Sequence, residues 1–451
     1  MKEAVAGELA AAYDSRIVDE VRATDFRYQS GRLTIHLARE FGFCYGVDRA
    51  VDYAYQARRR FPGHTVYLTG EIIHNPHVND RLRTAGIRFL SDPGEDAHAL
   101  GPEDVVILPA FGVTVEEMAR LSDLGCTLVD TTCGSVLNVW KNVVRYARDG
   151  FTSVIHGKVK HEETRATASQ TLKYPNGRFL VVLDRAEAAI VCEYIRHGGD
   201  RAAFLQRFRG AVSPDFDPDR DLERIGCANQ TTMLMSESLE IGEMFAAAMN
   251  DRYGAERLDE HFRAFDTICT ATQERQDAVV ALLDEYQIDL MLVVGGYNSS
   301  NTCNLARMCA DRVRTYHIAE PECLVSTDEI RHRPIGAPST TAGREDVTRG
   351  WLSTAGPVAI GLTAGASTPN NIVGHVIRRV EELSGGELPT TATWEGEVGP
   401  CELTYRRIWD SSRVSASEST MRIFLPLWRV RNRWRSVPGL ATRVVLSPSE
   451  K

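Results

Sequence analysis

The chain has 451 residues, 43% hydrophobic, 25% charged and 8% aromatic, a balance that excludes collagen, coiled coil and disorder as the dominant state. Its 52 Lys and Arg against 61 Asp and Glu leave a formal charge of −9, so nucleic-acid binding is not expected outside a local basic patch. There is no apolar run of membrane length (about 18 residues or more) and no apolar signal core or Arg/Ser-rich transit stretch. Together with ten dispersed cysteines and no CxxC, this points to a reducing cytoplasm.

After an N-terminal extension over 1–30, short apolar runs predict strands at 33–37, 65–68, 105–108, 127–129, 153–156, 179–183, 289–294 and 358–362. Between them, apolar residues three or four apart predict helices over 47–58, 113–122, 136–148, 235–249, 273–286 and 368–383. The alternation predicts an α/β fold with mostly parallel sheets, with functional groups at the carboxyl ends of strands. Two segments, 198–226 with its SPDFDPDRD and 331–350 rich in Pro, Thr, Gly and charge, read as insertions or long surface loops. The tail over 385–451 changes character: it holds four of the six Trp, and from Thr420 seven bases face one acid. In Trp428-Arg-Val-Arg-Asn-Arg-Trp-Arg435 the bases alternate, which predicts a strand with one basic face. Such an arm could pack on the acidic body or meet a partner.

Three cysteines share one context. Cys44 in GFCYG, Cys133 in DTTCG and Cys269 in DTICT each follow a strand or turn and open a helix. DTTC and DTIC look like a degenerate internal repeat, so a threefold pseudosymmetry would bring three thiols to a common centre. A helix N-terminus favours thiolate, the metal-binding form. Three thiolates without a fourth leave one metal position open for substrate. The competing reading of any one cysteine is a small buried hydrophobe, and it is kept for Cys126, Cys192, Cys227, Cys303, Cys309, Cys323 and Cys401.

Two loops suit an anion: Gly295-Gly-Tyr-Asn298-Ser299-Ser300-Asn301 after one strand and Gly365-Ala-Ser367-Thr-Pro369 after another. Glycine lets backbone N–H groups approach, Ser and Asn add short donors, and the helix start favours phosphate. Neither loop is a Walker A or a GxGxxG, so nucleotide binding is disfavoured; plain helix capping is the alternative. His161-Glu162-Glu163 offers an anion contact and a proton donor two residues apart. His74 in HNPH and Thr231 in NQTT complete the polar candidates.

GFCYGVDRA, EIIHNPHVN, DTTC, HEETRAT, NQTTM, DTICTATQERQDAV, VVGGYNSSNT and TAGASTP occur in this order. Over about residues 12–384 the chain thereby resembles the 4-hydroxy-3-methylbut-2-enyl diphosphate reductase family of the non-mevalonate isoprenoid pathway, in its phototroph-type branch. The resemblance implies three pseudo-symmetric α/β units around a central [4Fe–4S] cluster: 31–133, 134–265 with the insertion 198–226, and 266–384 with the insertion 331–350. It implies Cys44, Cys133 and Cys269 as ligands, one open iron, and Glu163 as the proton-supplying residue. It also implies substrate contacts at His74, His161, Thr231, Ser299, Ser300, Asn301 and Ser367. The activity implied is reductive removal of an allylic hydroxyl, fed by an external one-electron donor, a ferredoxin or flavodoxin. A cluster-based hydro-lyase and a non-catalytic iron–sulfur sensor are the alternatives. The chain departs from the family where many members have Ala-His-Gly-Val and it has Phe111, and where Gly134 replaces a usual Pro.

Overall fold

The structure, a computed structural model, describes residues 2–95, 99–265, 267–337 and 343–385. After two helices, Lys2–Tyr13 and Arg16–Ala23, the chain forms β1 (Arg27–Ser30) and β2 (Leu33–Leu37). It then builds a first, parallel sheet from β3 (Val66–Leu68), β4 (Arg88–Phe89), β5 (Val105–Leu108) and β6 (Thr127–Asp130), in the order β4-β3-β5-β6. A second parallel sheet follows, β7 (Thr152–His156), β8 (Phe179–Val182), β9 (Ile225–Asn229) and β10 (Phe262–Ala264), in the order β10-β9-β7-β8. Next come β11 (Leu290–Val294) and β12 (Thr315–Ile318), a separate antiparallel pair β13 (Glu329–His332) and β14 (Asp346–Arg349), and β15 (Val358–Ala364). The third sheet has the order β1-β2-β15-β11-β12, parallel except for β1.

Parallel sheets are covered on both faces, so their strands read as unbroken apolar runs. VVIL of β5 and LMLVV of β11 are buried at every position. The β1–β2 hairpin lies away from the strands that follow it in sequence: Leu33–Leu37 pairs along its whole length with β15, in the third sheet rather than with 66–130. Hydrophobic pattern marks a strand but not its partner.

The three helices behind the candidate cysteines show why. Tyr45–Arg60 starts from the third sheet, after β2, and packs Ala50, Val51 and Ala54 on Val66, Leu68 and Val105 of the first. Gly134–Arg148 starts from the first sheet and packs Val139, Val143 and Tyr146 on Phe151 and Ala228 beside the second. Thr270–Glu285 starts from the second sheet and packs Val279 and Leu282 on Met291 and Val293 of the third. Each helix leaves one sheet and covers the next, which closes the three sheets into a ring with the helix N-termini at its centre.

The segment 198–226 is folded. It contains the helices Arg201–Arg207 and Pro218–Asp221, and it buries Phe204, Phe208 and Phe216 in the core of the second sheet. Each ring stands among charges in sequence, and only the shared core unites them. The strand β9, Ile-Gly-Cys-Ala-Asn, is central in its sheet, yet Gly and Asn break the apolar run that would predict it. The segment 331–350 carries the pair β13–β14. The basic strand expected at 428–435 lies outside the described residues. Among the described residues no helix is long and apolar enough to cross a membrane.

Candidate active site where the three sheets meet

The three cysteines occupy equivalent places. Each is the N-cap of its helix, in extended backbone. Each donates its N–H to the loop that follows the neighbouring strand: Cys44 to Ala366 O (3.1 Å), Cys133 to Ala110 O (3.0 Å) and Cys269 to Thr231 O (3.3 Å). The repeat is built the same way on both sides. Thr131 Oγ1 donates to Leu108 O (2.6 Å), and its counterpart Thr267 binds Asn229. Gly46 is required by close approach, because a Cβ there would lie 2.5 Å from Cys133 Sγ and 3.9 Å from Cys44 Sγ. The buried Arg275 donates to Gly42 O (2.8 Å) and sets a positive charge beside Cys44.

Burial outweighs the thiolate preference of a helix N-terminus. It raises the Cys44 thiol, and it pushes Cys269 up to about 11 despite hydrogen bonds from Thr272. Deprotonation therefore needs a bound cation, as coordinated thiols have. The three sulfurs do not all fall within 4.8 Å of one another. A single tetrahedral ion would need them roughly 3.8 Å apart at ordinary zinc–sulfur lengths.

Around this centre the polar candidates form a closed ring of contacts. His161 caps the helix Glu162–Thr171, and its Nδ1 accepts from Glu163 N (3.2 Å). The other ring nitrogen, Nε2, faces His74 Nε2 at 3.2 Å. Burial lowers the basicity of His74, but Glu162 and Glu71 outweigh it and raise the pKa to about 9. Burial and the His74 charge push His161 the other way. His74, His161 and Glu162 are close enough for a metal ion. However, the charge on His74 suits an anion. Phe111 stacks on His74 at 4.4 Å and meets His161 edge-on.

Glu163 is 2% exposed. Its two oxygens accept from Thr231 N (2.6 Å) and Thr231 Oγ1 (3.0 Å). Burial raises its carboxyl to about 7, against the pull of Thr231 and His74. That value holds a proton and releases it near neutral pH.

The two glycine-rich loops close the ring. Ser299 caps the helix Ser300–Ala310 and accepts from Thr302 N. Ser300 Oγ accepts from Lys158 Nζ (2.9 Å) and Gln230 Nε2 (3.2 Å). Asn301 Oδ1 accepts from Ala366 N (2.9 Å), while its buried Nδ2 has no partner among the described residues. Ser367 Oγ donates to His74 O (3.2 Å). Burial depresses the Lys158 ammonium, a cost that a bound anion would relieve.

The structure thus gathers His74, His161, Glu163, Thr231, Ser299, Ser300, Asn301 and Ser367 into one region, against the three cysteine loops. Sequence reasoning missed Lys158, Gln230 and Glu71. Lys158 carried a signal, a lysine two residues after a buried strand; Gln230 and Glu71 carried none apart from their neighbours.

The profile of the family described as LytB protein matches residues 35–381. The chain belongs to the LytB family. A relative from Synechococcus sp. (strain CC9311), named 4-hydroxy-3-methylbut-2-enyl diphosphate reductase, is 50% identical over 383 residues, 84% of this chain and 93% of the relative. One of the same name from Thermosynechococcus vestitus is 47% identical over 384 residues, 84% and 92% of the two chains. The solved E-1-hydroxy-2-methyl-but-2-enyl-4-diphosphate reductase from Plasmodium falciparum shares the fold, with a TM-score of 0.54 at 19% identity over 77% of this chain and 87% of that one. The family match spans every residue of the ring, from Cys44 to Ser367, and ends just short of the tail.

Proposed function

We propose that this LytB chain removes the allylic hydroxyl of 4-hydroxy-3-methylbut-2-enyl diphosphate as water, taking up two electrons and two protons. The products are isopentenyl and dimethylallyl diphosphate, the last step of the non-mevalonate pathway. The observation that carries this reading is Glu163, a fully buried acid poised near neutrality between a histidine pair and a ring of cysteines. The relatives' names supply the substrate.

Cys44, Cys133 and Cys269 would hold a [4Fe–4S] cluster with one open iron, which supplies single electrons and Lewis acidity when bound. The chain's own residues do the rest. Ser299, Ser300, Asn301 and Ser367, with the Lys158 charge behind Ser300, receive the diphosphate. The His74 cation adds a charge beside it, and His161 packs against that cation. Anchoring the diphosphate fixes the allyl group relative to the cysteine centre. Thr231 orients the Glu163 carboxyl, which delivers a proton to the departing hydroxyl oxygen. Electrons come from a separate carrier, a small ferredoxin or flavodoxin, in a cytoplasmic setting.

The test is an anaerobic assay with reduced viologen as electron source. Both five-carbon diphosphates should form, and Glu163→Gln should keep its iron while losing turnover. Wild-type protein that holds iron but leaves this substrate untouched would refute the reading. Conversion without any reductant would instead favour a hydro-lyase.

A further inference from the structure

The antiparallel pair β13–β14 stands apart from the three sheets and contributes no side chain to the ring above. Its base is nevertheless rigid. Arg333 N donates to His317 O (2.8 Å) at the end of β12. Ile330 is fully buried in the third-sheet core, and so is Trp351, whose Nε1 donates to Ser326 O (2.7 Å). From this base two side chains reach Tyr297, in the middle of the Gly295–Asn301 loop. The Tyr297 hydroxyl donates to Glu345 Oε1 (2.7 Å), while Arg331 donates to the other oxygen of the same carboxylate (3.3 Å). The Arg333 guanidinium, itself buried, donates to Tyr297 O and to Ala337 O. The loop is thus gripped at both the side chain and the carbonyl of one residue.

The next residues are the ones that meet substrate. Asn298 Nδ2 donates to Glu71 Oε2 (3.0 Å), the carboxylate that pairs with His74 at 2.8 Å. Ser299, Ser300 and Asn301 follow directly. Before Tyr297 stand two glycines, one at φ +146° and the other where a Cβ would lie 2.5 Å from His74 O. Such a hinge is conformationally free. An unanchored loop would be ordered only when the diphosphate binds, at the expense of affinity.

We propose that Arg333 and Glu345 are positioning residues: by clamping Tyr297, the β13–β14 pair fixes Asn298–Asn301 in the geometry that receives the diphosphate. This rests on the reading of that loop as the diphosphate site. The clamp acts on binding, so it is tested without turnover, using inorganic pyrophosphate as the probe in anaerobic calorimetry on the full-length holoenzyme. Tyr297→Phe and Glu345→Ala should each weaken pyrophosphate about three- to tenfold, the size expected for one hydrogen bond. The double variant should be no worse than Glu345→Ala alone, since that variant already removes the Tyr297 contact. Glu345→Gln keeps an acceptor and should restore most of the affinity. In the assay KM should rise with kcat nearly constant. Unchanged pyrophosphate affinity in Tyr297→Phe, with a lowered melting temperature, would make the contact structural only and overturn the clamp. Additive losses in the double variant would do the same. Wild-type protein that fails to bind pyrophosphate would overturn the diphosphate reading itself, and the clamp with it.

Discussion

Replacing Glu163 by Gln separates the chemical role of this carboxyl from its structural one. Gln has the same shape, its Oε1 can keep the Thr231 N–H, and its amide can donate to the Thr231 hydroxyl. Loss of a positioned general acid costs about 10²- to 10⁴-fold in turnover. Stability should move the other way, and its pH dependence carries the sign. Burial raises the folded-state pKa of Glu163 from 4.5 to about 7. Between those values the folded chain holds a proton that the unfolded chain has lost, so stability falls as pH rises through this window. At about 1.4 kcal/mol per pH unit, the loss by pH 8 is on the order of 3 kcal/mol, as an upper figure for a group this buried. Gln carries no such proton. Glu163→Gln should therefore match the wild type in melting temperature near pH 5 and exceed it by a few degrees at pH 8. Differential scanning calorimetry of both proteins at the two pH values measures this. If the wild type gained stability from pH 5 to 8 relative to the variant, Glu163 would be ionised in the fold, and its assignment as an acid would fail.

Three further outcomes follow from the same geometry. Lys158→Met removes the half-buried charge behind Ser300; it should weaken pyrophosphate by about 10- to 100-fold, the worth of a charged hydrogen bond, measured by inhibition of the reductase assay. His74, with its pKa raised to about 9, is a cation at neutral pH; affinity for pyrophosphate should be full below pH 8 and fall as pH passes 9, and a flat titration to pH 10 would remove His74 from the anion site. Cys269→Ser, at a thiol that accepts from Thr272 N, should lower the iron content of anaerobically purified protein while leaving its far-UV circular dichroism unchanged, whereas Cys309→Ser, in the apolar core of the third sheet, should retain the iron.

Much of the site was legible as local phrases. A cysteine after a strand and before a helix, or a Ser-Ser-Asn after two glycines, announces its chemistry because the backbone there has few conformations and the donors are short. Lys158 was harder, since a lone lysine is ordinarily a solvated one; only its half-buried contact with Ser300 marks it. Phe111 was visible as a departure, and its contact with both histidines was not. The expected lowering of the cysteine pKa values failed at Cys44 and Cys269 because desolvation, which depends on the assembled interior, exceeds the helix-end effect.

Periodicity, the Asp-Thr-x-Cys repeat and the order of motifs determined the α/β class, the family and the identities of the polar residues. They could do so because each is a short-range property of the chain. Tertiary structure alone decided that Leu33–Leu37 joins β15 across more than three hundred residues and that the three cysteine helices each cover the next sheet. It also decided that the β13–β14 segment holds the Gly295–Asn301 loop at Tyr297. Strand pairing, burial and the pKa values that follow from burial are set by which surfaces meet, and no local pattern in the sequence encodes that.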